Sequence, residues 1–144
     1  MEVTRIVTDG KARTTGKIMY EVVEKFYLDM APYASMSLPT IFSIIKRLPY
    51  RPDPDNLETL MRPLYTMTMQ GTGGDCDDKA IALASWARLH SIPFRFLAIR
   101  RHGRKTLHHV ALELYINKRW IYCDPTYSFN TLGRHRDEAE RVIL

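Results

Sequence analysis

Gly73-Gly74-Asp75-Cys76-Asp77-Asp78-Lys79-Ala80 is a glycine-rich turn that runs into a helix and sets a cysteine in that helix's first turn. From Asp75 to His90 the pattern is helical and apolar on most sides. Ala80, Ala84 and Ala87 form a small-residue stripe below Cys76, while Ile81, Leu83, Trp86 and Leu89 cover the rest. Such a helix is buried, and the alanine stripe predicts close approach of something flat, most simply a sheet. At a helix N-terminus, unpaired N–H groups and the positive end of the macrodipole favour a thiolate and offer donors to a developing oxyanion. Asp77 and Asp78 suit the same dipole, but their charge opposes ionisation of the thiol. An active Cys76 therefore needs a base that outweighs them.

Downstream the hydrophobic period shortens to two. Ser91-Ile92-Pro93 breaks the helix, and strands are expected at Phe94 to Ile99, at about 107 to 116 and at 119 to 124, the last two joined by a tight Asn117-Lys118 turn. Alternation puts His109, Ala111, Glu113 and Tyr115 on one face of the second strand, and Trp120, Tyr122 and Asp124 on one face of the third. Cys123 points the other way and reads as a small buried hydrophobe. A thiol needs a base and the base needs an orienting acceptor. Cys76, His109 and Asp124 supply the three parts of an activated nucleophile. His108 faces opposite to His109, while His90, His102 and His135 read as helix-end, loop and tail residues.

Three stretches, Gly74-Asp75-Cys76, His109 with Glu113 four residues later, and Trp120 to Asp124-Pro125-Thr126, resemble the core motifs of the transglutaminase-like family of papain-like cysteine enzymes. The likeness covers roughly residues 70 to 127. In its Gly-Gly-Asp-Cys-Asp-Asp-Lys-Ala form it is most similar to small stand-alone members from tailed phages and prophages, and Asp53-Pro54 and Arg62-Pro63-Leu64 add to that likeness. Ala111 departs from the pattern where many members carry an aromatic residue, which bears on the substrate pocket and not on the triad.

The resemblance implies a thioester mechanism in which Cys76 attacks a carbonyl, His109 moves the proton and Asp124 holds the imidazole tautomer. The expected activity is a peptidase or amidase, or else an acyltransferase, acting on a peptide or protein amide. The other reading is a phage or prophage particle component, binding phage structural proteins and keeping the fold for assembly. Gln70, six residues before Cys76, has a spacing similar to that of the side-chain oxyanion donor in papain-type proteases; a polar residue in an exposed loop is the alternative.

Upstream, residues 2 to 7 suit a short strand or extended arm. Thr14 or Thr15 is expected to cap a helix with Ile18, Val22, Phe26 and Met30 inward, ended by Pro32. A second helix starts around Pro39, carries Ile41, Ile44, Ile45 and Leu48, and stops before Pro49. Pro49 to Asp55 forms an extended strap, either a linker or a groove wall, and Asp55-Asn56-Leu57-Glu58 has capping-box spacing for a short helix to about Met61. Residues 128 to 144 suit a short helix, a loose tail or a docking segment.

The expected fold is therefore α+β, a papain-like, transglutaminase-like core. It is one domain over residues 1–144: a helical part at 1–69, a nucleophile helix and antiparallel sheet within 70–127, and a tail at 128–144. A chain of 144 residues with 45% hydrophobic and 26% charged residues can hold one core. The net charge of +5 is scattered, apart from Arg100-Arg101-His102-Gly103-Arg104-Lys105 between two strands, which reads as a solvated hairpin loop and not as a nucleic-acid site. Two cysteines make no disulfide framework, no charged-then-apolar leader precedes the fold, and no stretch is long enough to span a bilayer. Cytoplasmic folding in a bacterial host is expected, with association to a virion under the particle reading. Neither cofactor nor metal is expected, since cysteine and histidine show no paired ligand spacing.

Overall fold

The computed structural model describes residues 5–8, 12–53, 58–68 and 73–144. Its centre is helix α4, Cys76–Leu89, of which Ala80 to Ala84 and Ala87 are wholly buried. Earlier in the chain come strand β1 (Arg5–Thr8), helix α1 (Ala12–Phe26) with a 3₁₀ continuation (Tyr27–Tyr33), helix α2 (Leu38–Arg47), strand β2 (Glu58–Met61) and helix α3 (Pro63–Thr68). Strands β3 (Phe94–Arg100), β4 (His109–Ile116), β5 (Arg119–Cys123) and β6 (Glu140–Ile143) follow. They form one antiparallel sheet in the order β5-β4-β3-β6, while β1 and β2 pair separately.

The two faces of the sheet divide as alternation predicts. Phe96, Leu112, Leu114 and Cys123 join α4, α1 and α2 in the main core, whereas Leu97, Ile99, Ala111 and Tyr122 form a second cluster. Each fully buried Leu, Ile or Phe contributes about 2 kcal/mol of transfer free energy. The Asn117-Lys118 turn has φ of +54° and +64°, the left-handed pair that a two-residue hairpin requires. Residues 101–108 form the loop between β3 and β4, so the basic cluster does lie on a hairpin.

Several local expectations give way to long-range pairing. Helix α1 begins at Ala12, so Thr14 and Thr15 lie within its first turn and not before it; Thr15 is buried. Its inward face is Thr15, Gly16, Met19, Val22 and Val23, rotated from the expected stripe. Tyr20 sets that rotation, because its hydroxyl accepts from Phe96 N at 2.8 Å and donates to the Leu144 carbonyl at 3.0 Å. Pro32 lies inside the 3₁₀ segment. Helix α2 meets expectation, with Ser37 as cap, Pro39 in the first turn and Leu48 as the last capping residue.

No helix runs to Met61. Glu58–Met61 is strand β2, paired from Arg5↔Met61 to Thr8↔Glu58, and residues 54–57, where the capping box was expected, lie outside the described residues. Asp53 accepts from Thr59 N and from Thr59 Oγ1 at 2.6 Å, an anchoring that suits an extended chain. The short helix comes later, at Pro63, where Asp29 holds Arg62 at 2.7 Å and also accepts from Leu64 N. Nor is the C-terminal segment a helix or a tail: β6 adds to β3, and Arg141 and Glu140 pair with Glu113 and Arg100. Of the expected N-terminal strand, residues 2–4 lie outside the described residues. No helix among the described residues is long and apolar enough to cross a membrane.

Candidate active site

Each residue of the opening stretch has a local reason. Gly73 has φ +54°, and a Cβ there would meet the Pro49 carbonyl oxygen at 2.0 Å. That close approach is a short parallel bridge in which Gly74 N donates to Pro49 O and Arg51 N donates to Gly74 O. Gly74 has no room for a side chain either, since its Cβ would lie 2.5 Å from Asp78 Cβ. The Asp75 carboxylate then caps α4, accepting from Asp77 N and Asp78 N, and Asp78 closes the capping box by accepting from Asp75 N. Asp78 also takes Met61 N at 2.8 Å, which ties the helix start to β2. Cys76 is the first residue of α4.

His109 opens β4 and Asp124 follows β5. Their side chains meet, with His109 Nε2 at 2.7 Å from Asp124 Oδ2, both residues buried. Asp124 Oδ1 accepts from Thr126 N, and Asn130 Nδ2 donates to the Asp124 carbonyl. The Tyr127 ring lies parallel to the imidazole, with centroids 6.3 Å apart, and stacks in turn on Tyr50 of the strap. The strap is thus a wall of the site as well as a linker. Burial works to raise the Asp124 carboxyl, but the hydrogen bond and charge of His109, with Thr126, hold it below the usual carboxylate range.

Cys76 and His109 line one cavity of about 260 Å³, together with His108, Tyr50, Asp53 and Asp77. A second, of about 310 Å³, lies against His109 and Asp124 and is walled by Tyr127, Phe129, Arg101 and Arg136. The imidazole borders both. His108 Nδ1 contacts the Thr106 carbonyl at 3.3 Å, while His109 takes the carboxylate, as alternation implied. Gln70 lies outside the described residues.

Ionisation of the thiol is disfavoured. Burial, reinforced by Asp77 and Asp75, pushes Cys76 well above the ordinary cysteine range; the Val110 backbone hydrogen bond pulls the other way. Its Sγ donates to Asp77 Oδ1 at 3.6 Å. The expected opposition of Asp77 is present and is joined by Asp75, while Asp78 faces Met61 and Asp75 N instead. Carboxylate oxygens of Asp53, Asp75 and Asp77 come within 4.8 Å of one another, a grouping that cysteine and histidine spacing does not reveal. Asp53 and Asp75 already take protein donors there, Thr59 and the first turn of α4.

Glu113, the motif residue four after His109, contacts none of Cys76, His109 and Asp124; it holds Arg95 of β3 at 2.7 Å and Arg141 of β6 at 3.1 Å. The role of Lys79 escaped the sequence pattern. Lys79 is 1% exposed, and its ammonium donates to the backbone carbonyls of Lys46, Leu48 and Thr126. Burial lowers its pKa to about 8, against an upward pull from Asp124. An ionic residue on a helix apolar all round was the available signal, because a buried ammonium demands partners.

The family model described as the transglutaminase-like superfamily matches residues 29–125. No curated protein matches the chain significantly. Among solved structures it is similar to a Cytophaga hutchinsonii protein provisionally described as a cysteine protease, at 18% identity and a TM-score of 0.44, over 91% of this chain. The chain spans 47% of that protein's length.

Proposed function

The chain belongs to the transglutaminase-like superfamily, and from that premise we propose that it is a thiol hydrolase of peptide or related amide bonds, with Cys76, His109 and Asp124 as its triad. The observation that carries this reading is the 2.7 Å His109–Asp124 contact beside the cavity that also holds Cys76 at the start of α4. Asp124 occupies Nε2, which leaves Nδ1 as the nitrogen to take the thiol proton.

Attack by Sγ on the amide carbonyl forms the C–S bond as that proton moves to His109. The oxyanion meets the N–H groups at the helix start, with the Cys76 N–H as one donor and Gln70 as the second. Collapse breaks the C–N bond, and His109 returns the proton to the departing amine. Water, deprotonated by the same imidazole, then resolves the thioester to a carboxylic acid and the free thiol. An amine in place of water would form a new amide, which is the transglutaminase outcome. The raised thiol pKa fits general-base activation during attack better than a standing ion pair.

A chloroacetamide-bearing peptide tests the proposal. The expected result is a covalent adduct mapped to Cys76 by mass spectrometry, absent in Cys76→Ser and slowed in His109→Ala. Equal adduct on Cys123 would overturn the assignment. If the chain instead serves as a particle component, Cys76→Ser will support its natural role undiminished. Gln70→Ala should slow turnover by about 10²-fold with little loss of stability; a silent variant rejects that donor.

A further inference from the structure

We infer that Lys79 is a positioning residue of this site, its ammonium fastening the loop after Asp124 and the end of α2 to the nucleophile helix. The inference rests on the thiol reading for its functional meaning, and on geometry for its substance. Nζ donates to the Leu48 carbonyl at 2.7 Å, to Thr126 at 2.8 Å and to Lys46 at 3.4 Å. An ammonium has three N–H donors, and here each has a carbonyl from a different residue. Among the described residues no carboxylate is a hydrogen-bond partner of this ammonium, which holds backbone carbonyls instead.

Both ends of that arrangement lead to the triad. On one side, Lys46 and Leu48 belong to the C-terminal end of α2, where orphan carbonyls carry partial negative charge and a cation is favoured. The next carbonyl, that of Pro49, accepts from Gly74 N, two residues before Cys76. On the other side, Thr126 O is held by Lys79 while Thr126 N donates to Asp124 Oδ1. The same loop is gripped again through Asn130, whose carbonyl accepts from Lys46 Nζ at 2.9 Å and whose Nδ2 donates to Asp124 O. Lys79 stands one turn along α4 from Cys76, so one side chain sets the acid loop relative to the nucleophile.

The tetrahedral ammonium is the required chemistry. Methionine keeps the bulk and donates nothing, and a guanidinium sends its donors out in a plane instead of toward three converging carbonyls.

The test reads the His109–Asp124 contact directly. In the native protein, proton NMR should show a downfield imidazole N–H resonance for that pair and a Lys79 ammonium signal protected from solvent exchange. In Lys79→Met, with the fold verified by circular dichroism, the imidazole resonance should disappear or broaden. Release of p-nitrophenol from p-nitrophenyl acetate should slow by about 10²-fold, the scale of an ångström misplacement. A merely structural lysine would lower the melting temperature and leave the imidazole resonance in place, which overturns the inference. So does an ammonium signal exchanging as fast as that of exposed lysines, a result obtained on unmutated protein should the variant not fold. If native protein releases no p-nitrophenol through Cys76, the thiol reading fails, while both NMR signals still decide the placement of Lys79.

Discussion

Nε2 of His109 lies 2.7 Å from Oδ2 of Asp124, and the second oxygen of that carboxylate is already taken by Thr126 N. Asp124 therefore cannot rotate away without breaking two hydrogen bonds, and the imidazole tautomer is fixed by a group that is itself fixed. Asp124→Asn replaces a charged acceptor with an amide that can present its NH₂ to the imidazole. Turnover should fall on the order of 10⁴-fold with the fold retained. Steady-state rates on any substrate found for the protein check this; unchanged activity would reduce Asp124 to a strand-end residue before Pro125.

Asp77 should restrain the nucleophile. Removing its charge in Asp77→Asn lowers the thiol pKa, since Asp77 is the foremost charge that raises it. Below that pKa the thiolate fraction grows tenfold per unit, so iodoacetamide labelling of Cys76 at pH 8 should speed up by about tenfold. In the native protein the labelling rate should still be climbing above pH 9, with no plateau near neutrality. Cys123, pushed up to about 12 by burial and then by Glu113 and Asp124, and wholly buried, should label far more slowly at every pH. Peptide mass mapping separates the two thiols. A slower Asp77→Asn would contradict the electrostatic account.

Gly74→Ala should destabilise by about 2 kcal/mol through overpacking. The new methyl would meet Asp78 Cβ at 2.5 Å and Oδ2 at 2.8 Å, displacing the carboxylate that holds both Asp75 N and Met61 N. Urea titration measures the loss, and labelling selectivity between the two cysteines should narrow as the helix start loosens. A fully stable Gly74→Ala would show that the glycine serves no packing need.

Lys79 predicts a stability slope with a definite sign. Its pKa is lowered from 10.5 to about 8 by burial. Between those values the unfolded chain binds the extra proton, so this group makes stability rise as pH climbs through that window. Native protein minus Lys79→Met, compared by denaturant titration at pH 7.5 and 10, should show that rise. A flat difference would mean that the three carbonyls fully offset the burial.

Much of this was legible from residue order. The helix that starts at Cys76, three of the four strands of the main sheet, the tight turn at Asn117-Lys118 and the division of faces that sets His109 beside Asp124 all follow from period and punctuation within short windows. What failed depended on partners far along the chain. Asp55 to Glu58 carries a helix-start spacing, yet the Glu58–Met61 segment is a strand because β1, some fifty residues earlier, supplies its pair. Val142 and Ile143 are too few to signal a strand alone; pairing with β3 makes them one. Lys79 was visible as an anomaly on an apolar helix, but its three carbonyls come from two other elements, and local pattern carries no information about them.

The upward shift of the Cys76 thiol also bears on its oxidation. Peroxide, like a carbonyl, is attacked by the thiolate. A sulfur whose ionisation is opposed by burial, Asp77 and Asp75 is a slow target for oxidation to sulfenic acid. Cys123 is wholly buried in the main core, on the face of the sheet that packs against α4. The acidic lining that opposes ionisation thus opposes oxidation of the sulfur as well.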